Sequence, residues 1–548
     1  MVFQHRKEGR GAFLFDGTVG NWGGSTEQNS LADFLAGDIA FENGSIATGD
    51  PRRNYYVNSV SWYAQDAWQV TPRLNLNYGL RWDYNAPLYD PTHTISTFLP
   101  SASGGFAFPP QTLSTLYPRD LNNFAPRLGF AFTPTRGGKT VVRGAWGIYY
   151  DVVNGNLFID NRATPGGRGV ARNPAGSNPV FSVSNETVVT VVKDQPIFGG
   201  STPIPPFGAY AIDQNLRSPY VQNFSLNVQH QLTPKVVVQA GYVGSQGRKL
   251  IITHNINQPV ASATAYPSLQ AARPFFSQFP NLSGITEISS VGNSQFNSMQ
   301  LSVRGTNWHR LTGQLAYTLG HARDDMSFPR NHRPTNNDNI PGDYGNADFD
   351  TRHNVSSSVI YDVPRLGQSL PKLTNGWELA ALFAYNNGFP FTVYTATGSD
   401  NSHTGNKLDR ADLVSNPFSG VVQPSGGISQ GVQWINPAAF VPNAAGTFGT
   451  TKRNQFYGPR FKTMDFSVIK NTPITERVRT QFRVEMFNVF NILNLEQPGG
   501  NALGAPGIMC ICDGAAFGLL NSTVHAPDSP GIGSGEPFNV QFALKIIF

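Results

Sequence analysis

The chain has 548 residues, of which only 14% are charged and 12% are aromatic, and it contains 56 glycines and 40 prolines. Its 40 basic and 35 acidic residues leave a formal net charge of +5 without any clustered Lys/Arg segment, which argues against a nucleic-acid-binding protein. No apolar run is long enough for a membrane-spanning helix. A transmembrane β-barrel is compatible with this composition, because only alternate residues of each strand contact lipid.

Alternation of apolar and polar residues with a period of two recurs along the chain and predicts β-strands. After a first predicted strand near 11–16, two alternating segments meet at Thr71-Pro72, which predicts a hairpin. Its apolar rows are Val60, Trp62, Ala64, Trp68 and Val70, and then Leu74, Leu76, Tyr78, Leu80, Trp82 and Tyr84. Further strands are predicted near 124–133, 139–151, 224–228, 236–242, 295–305, 308–321, 351–363, 373–395, 466–468, 478–486 and 537–548. We therefore expect about fourteen strands.

Tight turns alternate strictly with long connections rich in Gly, Pro, Ser and Asn. The long connections cover roughly residues 17–54, 86–123, 152–219, 247–294, 322–350, 396–460 and 492–536. Outer-membrane barrels have short periplasmic turns and long extracellular loops, whereas a soluble β-sandwich has no reason to place its long loops at one end. The sequence thus predicts an all-β fold, a transmembrane antiparallel β-barrel formed by residues 1–548.

The two faces of the predicted strands differ in polarity. Asp66 is an exception, because it falls on the apolar row of its strand. Either it lies near the membrane interface, where a charge costs little, or a β-bulge redirects its side chain. On the penultimate strand the residues opposite the apolar row form a polar ladder suited to a water-filled lumen: Arg477, Arg479, Gln481, Arg483 and Glu485.

The last strand has the most regular pattern in the chain. Every second residue is apolar, and the chain ends on an aromatic residue: Phe538, Val540, Phe542, Leu544, Ile546 and Phe548. Such a row predicts a strand whose two faces meet different solvents.

Five segments carry a family resemblance: residues 62–74 (WYAQDAWQVTPRL), 123–130 (NFAPRLGF), 344–353 (YGNADFDTRH), 485–491 (EMFNVFN) and the terminal strand. Together they resemble the TonB-dependent outer-membrane receptors, specifically the Oar-like branch with large extracellular loops. The resemblance implies a location in the bacterial outer membrane. It also implies that the barrel-assembly machinery reads the terminal strand as its signal.

Full-length members of that family have about twenty-two strands, an amino-terminal plug and a short box that contacts TonB. Oar-like members add a carboxypeptidase-regulatory-like domain. This chain resembles only the carboxy-terminal portion of such a receptor, and residues 1–7 contain no apolar signal sequence. We therefore expect the true beginning to lie upstream, a barrel of which this chain supplies about fourteen strands, and contact with TonB only through the missing plug.

An acidic connection is the candidate cation site. Asp343, Asp348 and Asp350 are the predicted ligands for a cation such as Ca²⁺, which binds carboxylate oxygens, although a solvated loop has the same composition. The surrounding segment adds further candidates: Asp324, Asp325, Asp338, His321, His332 and His353.

Cysteines and aromatic residues supply the remaining candidates. Cys510 and Cys512 predict a loop disulfide, with a soft-metal contact as the alternative. Aromatic residues on the long loops are candidate stacking platforms for a ligand: Trp22, Tyr117, Tyr210, Tyr220, Trp434 and Tyr457. Aromatic residues toward the strand ends predict a girdle at the membrane interfaces: Trp62, Trp68, Trp82, Trp146, Tyr149, Tyr150 and Tyr242.

Three functions are consistent with this pattern. The first is a TonB-dependent receptor that imports a bulky nutrient, such as an iron chelate or an oligosaccharide. The second is a surface-adhesion or structural barrel that binds partners through its loops, and the third is a passive pore. No protease, esterase or phosphate-binding motif is present, so we predict no enzyme activity and no cofactor.

Overall fold

The computed structural model describes residues 2–3, 15, 23, 25–36, 45–47, 54–91, 93, 95–153, 155–158, 170–172, 206–327, 334–365, 370–395, 400–498, 508–524 and 537–548. One large antiparallel sheet dominates this part of the chain, with thirteen strands along a continuous path. They are β1 (Ser59–Thr71), β2 (Leu74–Asn85), β3 (Phe124–Phe132), β4 (Thr140–Tyr150), β5 (Tyr220–Thr233), β6 (Val236–Asn255), β7 (Leu282–Trp308), β8 (Leu311–Asp324), β9 (His353–Asp362), β10 (Trp377–Asn386), β11 (Phe461–Pro473), β12 (Arg479–Phe487) and β13 (Asn539–Ile547).

Each strand pairs with its neighbour in sequence, so the sheet is a simple meander from β1 to β13. Within the described residues, β1 and β13 are its two edges and do not pair with each other. The predicted strand near 11–16 lies outside the described residues except for Phe15, which is not in a strand. Each of the other predicted strands has a counterpart in the sheet, and the short turns and long connections alternate as the sequence indicates.

Shorter elements lie in the connections. Two strands join the large sheet from the side: Phe207–Ile212 pairs with β7, and Gly345–Asn346 pairs with β8. Helices are α1 (Thr26–Ala36) and α2 (Pro371–Thr374), with 3₁₀ turns at Ser103–Gly105, Gly155–Phe158, Ile340–Asp343, Gly427–Gln430, Pro437–Ala439 and Ile511–Ala516. The remaining strands are Val2–Phe3, Ser45–Ala47, Asn54–Tyr55, Thr97–Phe98, Phe106–Ala107, Val170–Arg172, Pro390–Tyr394, Asp412–Leu413, Val432–Gln433, Phe440–Val441, Phe456–Tyr457, Ile508–Cys510 and Leu519–Leu520.

The structure corrects three strand boundaries. β6 continues to Asn255 and β7 begins at Leu282, so much of the predicted 247–294 loop is strand, because the two strands remain paired beyond the alternating segment. The predicted strand 373–395 is broken: β10 ends at Asn386, and Pro390–Tyr394 pairs instead with Phe456–Tyr457 and Ile508–Cys510. The predicted strand 466–468 continues to Pro473, which pairs with Arg479, so the turn lies at 474–478.

Cross-strand register places the apolar rows on one face of the sheet. Leu128 lies opposite Tyr78 and Trp146, and Trp146 lies opposite Phe224, so the rows of β2 to β5 are continuous. The same holds at the other edge, where Val484 lies opposite Phe542. Tyr78, Leu128 and Phe542 are exposed, and Phe224 and Val484 are partly exposed. This is expected for the lipid-facing side of the thirteen-strand sheet, which we call the wall.

Asp66 remains on that apolar face. The β1–β2 register runs unbroken from Ser59 to Gln69, so the suggested bulge at Asp66 is wrong. Instead, the Tyr78 hydroxyl donates a hydrogen bond to Asp66 Oδ2 at 2.9 Å. A neighbour on the next strand therefore satisfies one oxygen of this carboxylate.

The buried core lies in the connections rather than in the wall. We call the described parts of residues 86–123, 151–219, 256–281, 325–352, 387–460 and 488–538 the loop layer. Its hydrophobic clusters include Tyr117, Phe158 and Leu216 in one place, and Phe391, Ile435 and Phe456 in another. The long connections thus form a packed layer at one end of the sheet. Within the described residues, no helix combines the length and the apolar character needed to span a membrane.

Candidate functional site

The acidic connection joins neighbouring connections through a buried network of aspartates and arginines. Arg453 donates hydrogen bonds to the Asp324 carboxylate and, at 3.2 Å, to Asp348 Oδ1. A second arginine, Arg410, pairs with the Asp343 carboxylate. Asp324, Asp343 and Arg410 are each 5–6% exposed. Because the pairs join residues 325–352 to residues 387–460, they hold two long connections together.

Asn454 extends this network. Its side chain donates to Asp348 Oδ1 at 2.6 Å and to the Asn346 carbonyl at 2.8 Å. The Asn346 side chain donates in return to the Asn454 carbonyl at 2.8 Å. Asn454 is buried and adopts a positive φ of 53°, a conformation that asparagine tolerates better than most residues. The reciprocal pair fixes the turn that carries Arg453.

Tyr457 closes the other end of the network. Its hydroxyl donates to Asp350 Oδ2 at 2.7 Å, and Arg352 Nε lies 3.3 Å from the same oxygen. Burial raises the pKa of Tyr457 to about 12, and the hydrogen bond to Asp350 acts in the same direction, whereas Arg352 opposes it. The other oxygen of Asp350 accepts from the Ala322 backbone N–H at 2.6 Å. Asp350, which is 1% exposed, therefore ties the loop layer to the end of β8.

The predicted cation ligands are therefore not gathered around one point. Asp343, Asp348 and Asp350 each have a different arginine as partner. In the part of the chain that the structure describes, no group of three or more His, Cys, Asp or Glu side chains is placed to hold a metal ion. His332 lies outside the described residues, and the candidate acids Asp324 and Asp325 are bound by Arg453 and Asn293. Sequence reasoning missed Arg410 and Arg453, because nothing local marks them as partners of residues 67–129 positions away.

Most of the loop aromatics predicted to stack a ligand are packed within the loop layer. Tyr117 is 7% exposed and stacks on Phe158 with ring centroids 5.9 Å apart. Trp434 packs against a core cluster and donates to the Tyr457 carbonyl at 3.0 Å. Tyr210 is half-buried, Tyr220 lies beside Tyr150 in the wall, and Trp22 is outside the described residues.

The predicted disulfide is present. Cys510 and Cys512 are bonded, and Cys510 is fully buried at the end of the short strand that pairs with Pro390–Tyr394. Because both cysteines are oxidised, the alternative of a soft-metal thiolate pair does not apply to this state of the protein.

Tyr149 differs from the predicted girdle. Three positions from Trp146, it lies on the opposite, polar face, where the Arg127 guanidinium stacks 4.5 Å from its ring centroid. Among the described residues Arg127 has no carboxylate partner. Arg127 and Tyr149 line an open hollow of about 850 Å³ together with Tyr63, Gln65 and Arg81. Because Tyr149 is an odd number of positions from Trp146, the alternation of strand faces could have predicted its place on the polar face.

The polar ladder of β12 also lies on the polar face of the sheet. Arg479, Gln481, Arg483 and Glu485 alternate with the apolar row, and Arg483 lies 3.5 Å from Glu485. The terminal row is confirmed as one continuous exposed face, with Phe542 at 68% and Phe548 at 92% exposure. Its role as an assembly signal stays a prediction.

Comparison with known proteins identifies the family to which this architecture belongs. A family model described as an outer membrane beta barrel domain matches residues 1–541. No curated protein sequence matches the chain. Similar solved structures include the outer membrane transporter YddB from Escherichia coli (TM-score 0.42, 10% identity, 90% of this chain and 45% of that one).

Two further solved structures give similar values. The ferric-catecholate import receptor Fiu from E. coli K12 has a TM-score of 0.40 at 10% identity, covering 90% of this chain and 45% of that one. FpvA of P. aeruginosa, determined with heterologous pyoverdines, has a TM-score of 0.42 at 10% identity, with coverages of 93% and 41%. The chain thus spans less than half the length of these structures. On the family match over nearly its whole length, the chain belongs to the outer membrane β-barrel domain family and is a protein of the bacterial outer membrane.

Proposed function

We propose that this chain is the barrel portion of a TonB-dependent receptor that captures a bulky nutrient, such as an iron chelate or an oligosaccharide, at the cell surface. The observation that carries the proposal is the packed loop layer over one end of a two-faced wall. In outer-membrane barrels the long loops face outward, so this layer would meet ligands first. The segments quoted above, which resemble TonB-dependent receptors, support the same assignment.

Energy coupling in this proposal requires a plug and a TonB contact contributed by further residues of the receptor. The wall would act as a stiff frame, because its ladder satisfies the backbone hydrogen bonds within lipid. The Asp–Arg network would keep the loop layer preorganised, which lowers the entropy cost of binding a ligand.

Growth assays test this proposal. A strain lacking the gene and a strain lacking TonB are compared with the parent on a panel of ferric chelates and oligosaccharides as the sole source of iron or carbon. The expected result is at least one compound whose use requires both genes. If every compound supports all three strains equally, import by this protein is refuted.

Surface adhesion is the second candidate, because the loop layer exposes several apolar side chains. Val414, Phe418 and Val422 are 59%, 50% and 81% exposed within one connection. An exposed apolar patch is typical of protein-binding surfaces. Loss of cell attachment in the gene-deletion strain, with unchanged growth on every compound, would favour this function. A passive pore predicts ion conductance of the purified protein in a planar bilayer, which neither receptor nor adhesin requires.

A further inference from the structure

One buried carboxylate of the loop layer, Asp409, differs in its electrostatic surroundings from three that are paired with arginine. Asp343 and Asp350 are each neutralised by an arginine, and so is Asp120, whose partner Arg217 lies at 3.0 Å. Asp409 is completely buried, yet it has no basic side chain within ion-pair distance among the described residues. A buried carboxylate without a cation is costly, because burial penalises the charged form.

Asp409 lies beside a group of oxygen-bearing side chains, which it contacts through Ser402. Its Oδ2 accepts a hydrogen bond from the Ser402 backbone N–H at 2.7 Å, whereas its Oδ1 is buried without a hydrogen-bond partner. The Ser402 hydroxyl lies 3.1 Å from Asp400 Oδ1 and 2.9 Å from the Thr404 hydroxyl. Ser402 and Thr404 are themselves buried. Two carboxylates and two hydroxyls are therefore packed together.

Among the described residues, no basic side chain balances the negative charge of Asp409 in this cluster. Burial raises the pKa of Asp409, and the nearby charge of Asp400 acts in the same direction, although hydrogen bonds from Ser402 and Asn443 oppose it. The one imidazole in the segment, His403, is directed elsewhere, since its Nδ1 lies 2.6 Å from the Ser262 carbonyl. A bound cation would supply the positive charge that no described basic side chain provides to Asp409.

The donor set selects the kind of cation. Oxygen ligands without sulfur or imidazole favour hard cations, and Ca²⁺ accepts six to eight oxygens in flexible geometry. Asp400, Ser402 and Thr404 alternate along the chain and are followed by Gly405 with φ of 77°, as in the first half of many Ca²⁺ loops. The second half departs from the EF-hand pattern, because Asp409 takes the place of its last acidic ligand at a shorter spacing.

We propose that Asp400, Ser402, Thr404 and Asp409 form a Ca²⁺ site in the loop layer. Two carboxylates would be completed by hydroxyl and carbonyl oxygens and by water. The site differs from the acidic cluster at residues 343–350, whose carboxylates are already paired with arginine.

Ca²⁺ at this site would stabilise a junction between three connections. The Ser262 N–H donates to the Ser402 carbonyl at 3.0 Å, which joins residues 256–281 to this loop. The Asn406 side chain donates to the carbonyls of Pro334 and Thr335, both at 2.8 Å. Cation binding is therefore expected to order the loop layer as a unit.

Calorimetric titration of the full chain in detergent, after removal of divalent cations with a chelator, tests the site. Wild type is expected to bind one Ca²⁺ with a dissociation constant of roughly 10⁻⁴–10⁻³ M, the range of extracellular Ca²⁺ modules. Asp409→Asn is expected to weaken binding at least about tenfold, because it removes one of two charged ligands. Asp412→Asn is the matched control, since Asp412 lies in the same connection and its carboxylate accepts hydrogen bonds from the backbone N–H groups of Thr450 and Ala444.

Thermal unfolding provides a second test, because Ca²⁺ should reverse which of the two proteins, wild type or Asp409→Asn, is more stable. Without Ca²⁺, Asp409→Asn should be as stable as wild type or more stable, because a buried charge is removed. With saturating Ca²⁺, wild type should become the more stable protein. Absence of Ca²⁺ binding to folded wild type, equal affinity of Asp409→Asn, or tighter binding of Mg²⁺ than of Ca²⁺ would each overturn the proposal. If Asp409→Asn does not fold, Asp400→Asn supplies the comparison of Ca²⁺ affinity, because it removes the other charged ligand.

Discussion

Removing Arg453 should release one long connection from the loop layer while leaving the wall intact. Arg453→Met keeps a long apolar side chain but deletes the guanidinium that binds Asp324 and Asp348. The donors to the backbone carbonyls of Asp343, at 3.0 Å, and of Asp324, at 2.6 Å, disappear as well. The wall pairs through its own backbone ladder, so it does not depend on this side chain.

The expected loss of stability follows from the burial of the Arg453–Asp324 pair. Arg453 and Asp324 side chains are 10% and 7% exposed, so the substitution leaves a carboxylate buried without a counter-charge. Breaking a buried ion pair from one side typically costs about 3–5 kcal/mol. Such a loss raises the population of the opened state about a hundredfold to several-thousandfold at neutral pH.

Amide hydrogen exchange measures this opening directly. Backbone amides of residues 387–460 are expected to exchange faster in Arg453→Met, while amides of β10 and β11 keep wild-type rates. Adding Asp324→Asn should restore most of the protection, because the neutral amide no longer requires a counter-charge. Arg460→Met is the control, since Arg460 is exposed on the same connection. Exchange in residues 387–460 that stays within about twofold of wild type would refute the reasoning, since the expected change is a hundredfold or more.

Three further substitutions test the packing of the loop layer. Burial raises the pKa of Tyr117 from 10.0 to about 12, so the stability it contributes is present below pH 10 and lost as the pH rises through 12. Tyr117→Phe should therefore be less stable at neutral pH, because the Leu88 N–H loses its acceptor, yet should show a smaller loss between pH 10 and 12 in alkaline unfolding curves. Phe391→Ala, at a fully buried position, should cost about 3–5 kcal/mol in chemical unfolding of the loop layer, whereas a cost below about 1 kcal/mol would contradict its place in the core. Gly449→Ala should lower the unfolding temperature of the loop layer, because φ is 85° and a Cβ would meet the Arg410 carbonyl; an unchanged temperature would mean that this turn relaxes freely.

Strand faces could be predicted from the sequence wherever the alternation was unbroken. Residues 74–84 and 538–548 each place an apolar side chain at every second position, and the structure finds both rows on one face. Tyr149 was predicted to belong to the interfacial girdle because it is an aromatic residue near a strand end, but the register places it on the polar face. Its parity relative to Trp146 decides the matter, and its position beside Arg127 satisfies both side chains.

Extension of strands beyond the membrane band was harder to predict. β6 and β7 remain paired as far as Asn255 and Thr286, although the segment lacks strict alternation. Outside lipid, neither face needs to be uniformly apolar, so the alternating signal fades while backbone pairing continues. Pro390–Tyr394 shows the converse, because an apolar segment that looks like more wall is recruited into the core of the loop layer.

Local sequence patterns were enough to predict the wall of this protein: most of its strands, its two faces, the separation of tight turns from long connections, and its outer-membrane class. These follow from local rules, since a strand in lipid must alternate and a tight turn needs particular residues. Only the tertiary structure decided which side chains meet in the loop layer. Asp324 and Arg453 are 129 positions apart. A carboxylate-rich loop has the same local sequence whether its carboxylates contact water, calcium or arginine. The partner depends on how the connections pack over the barrel, which local sequence does not specify.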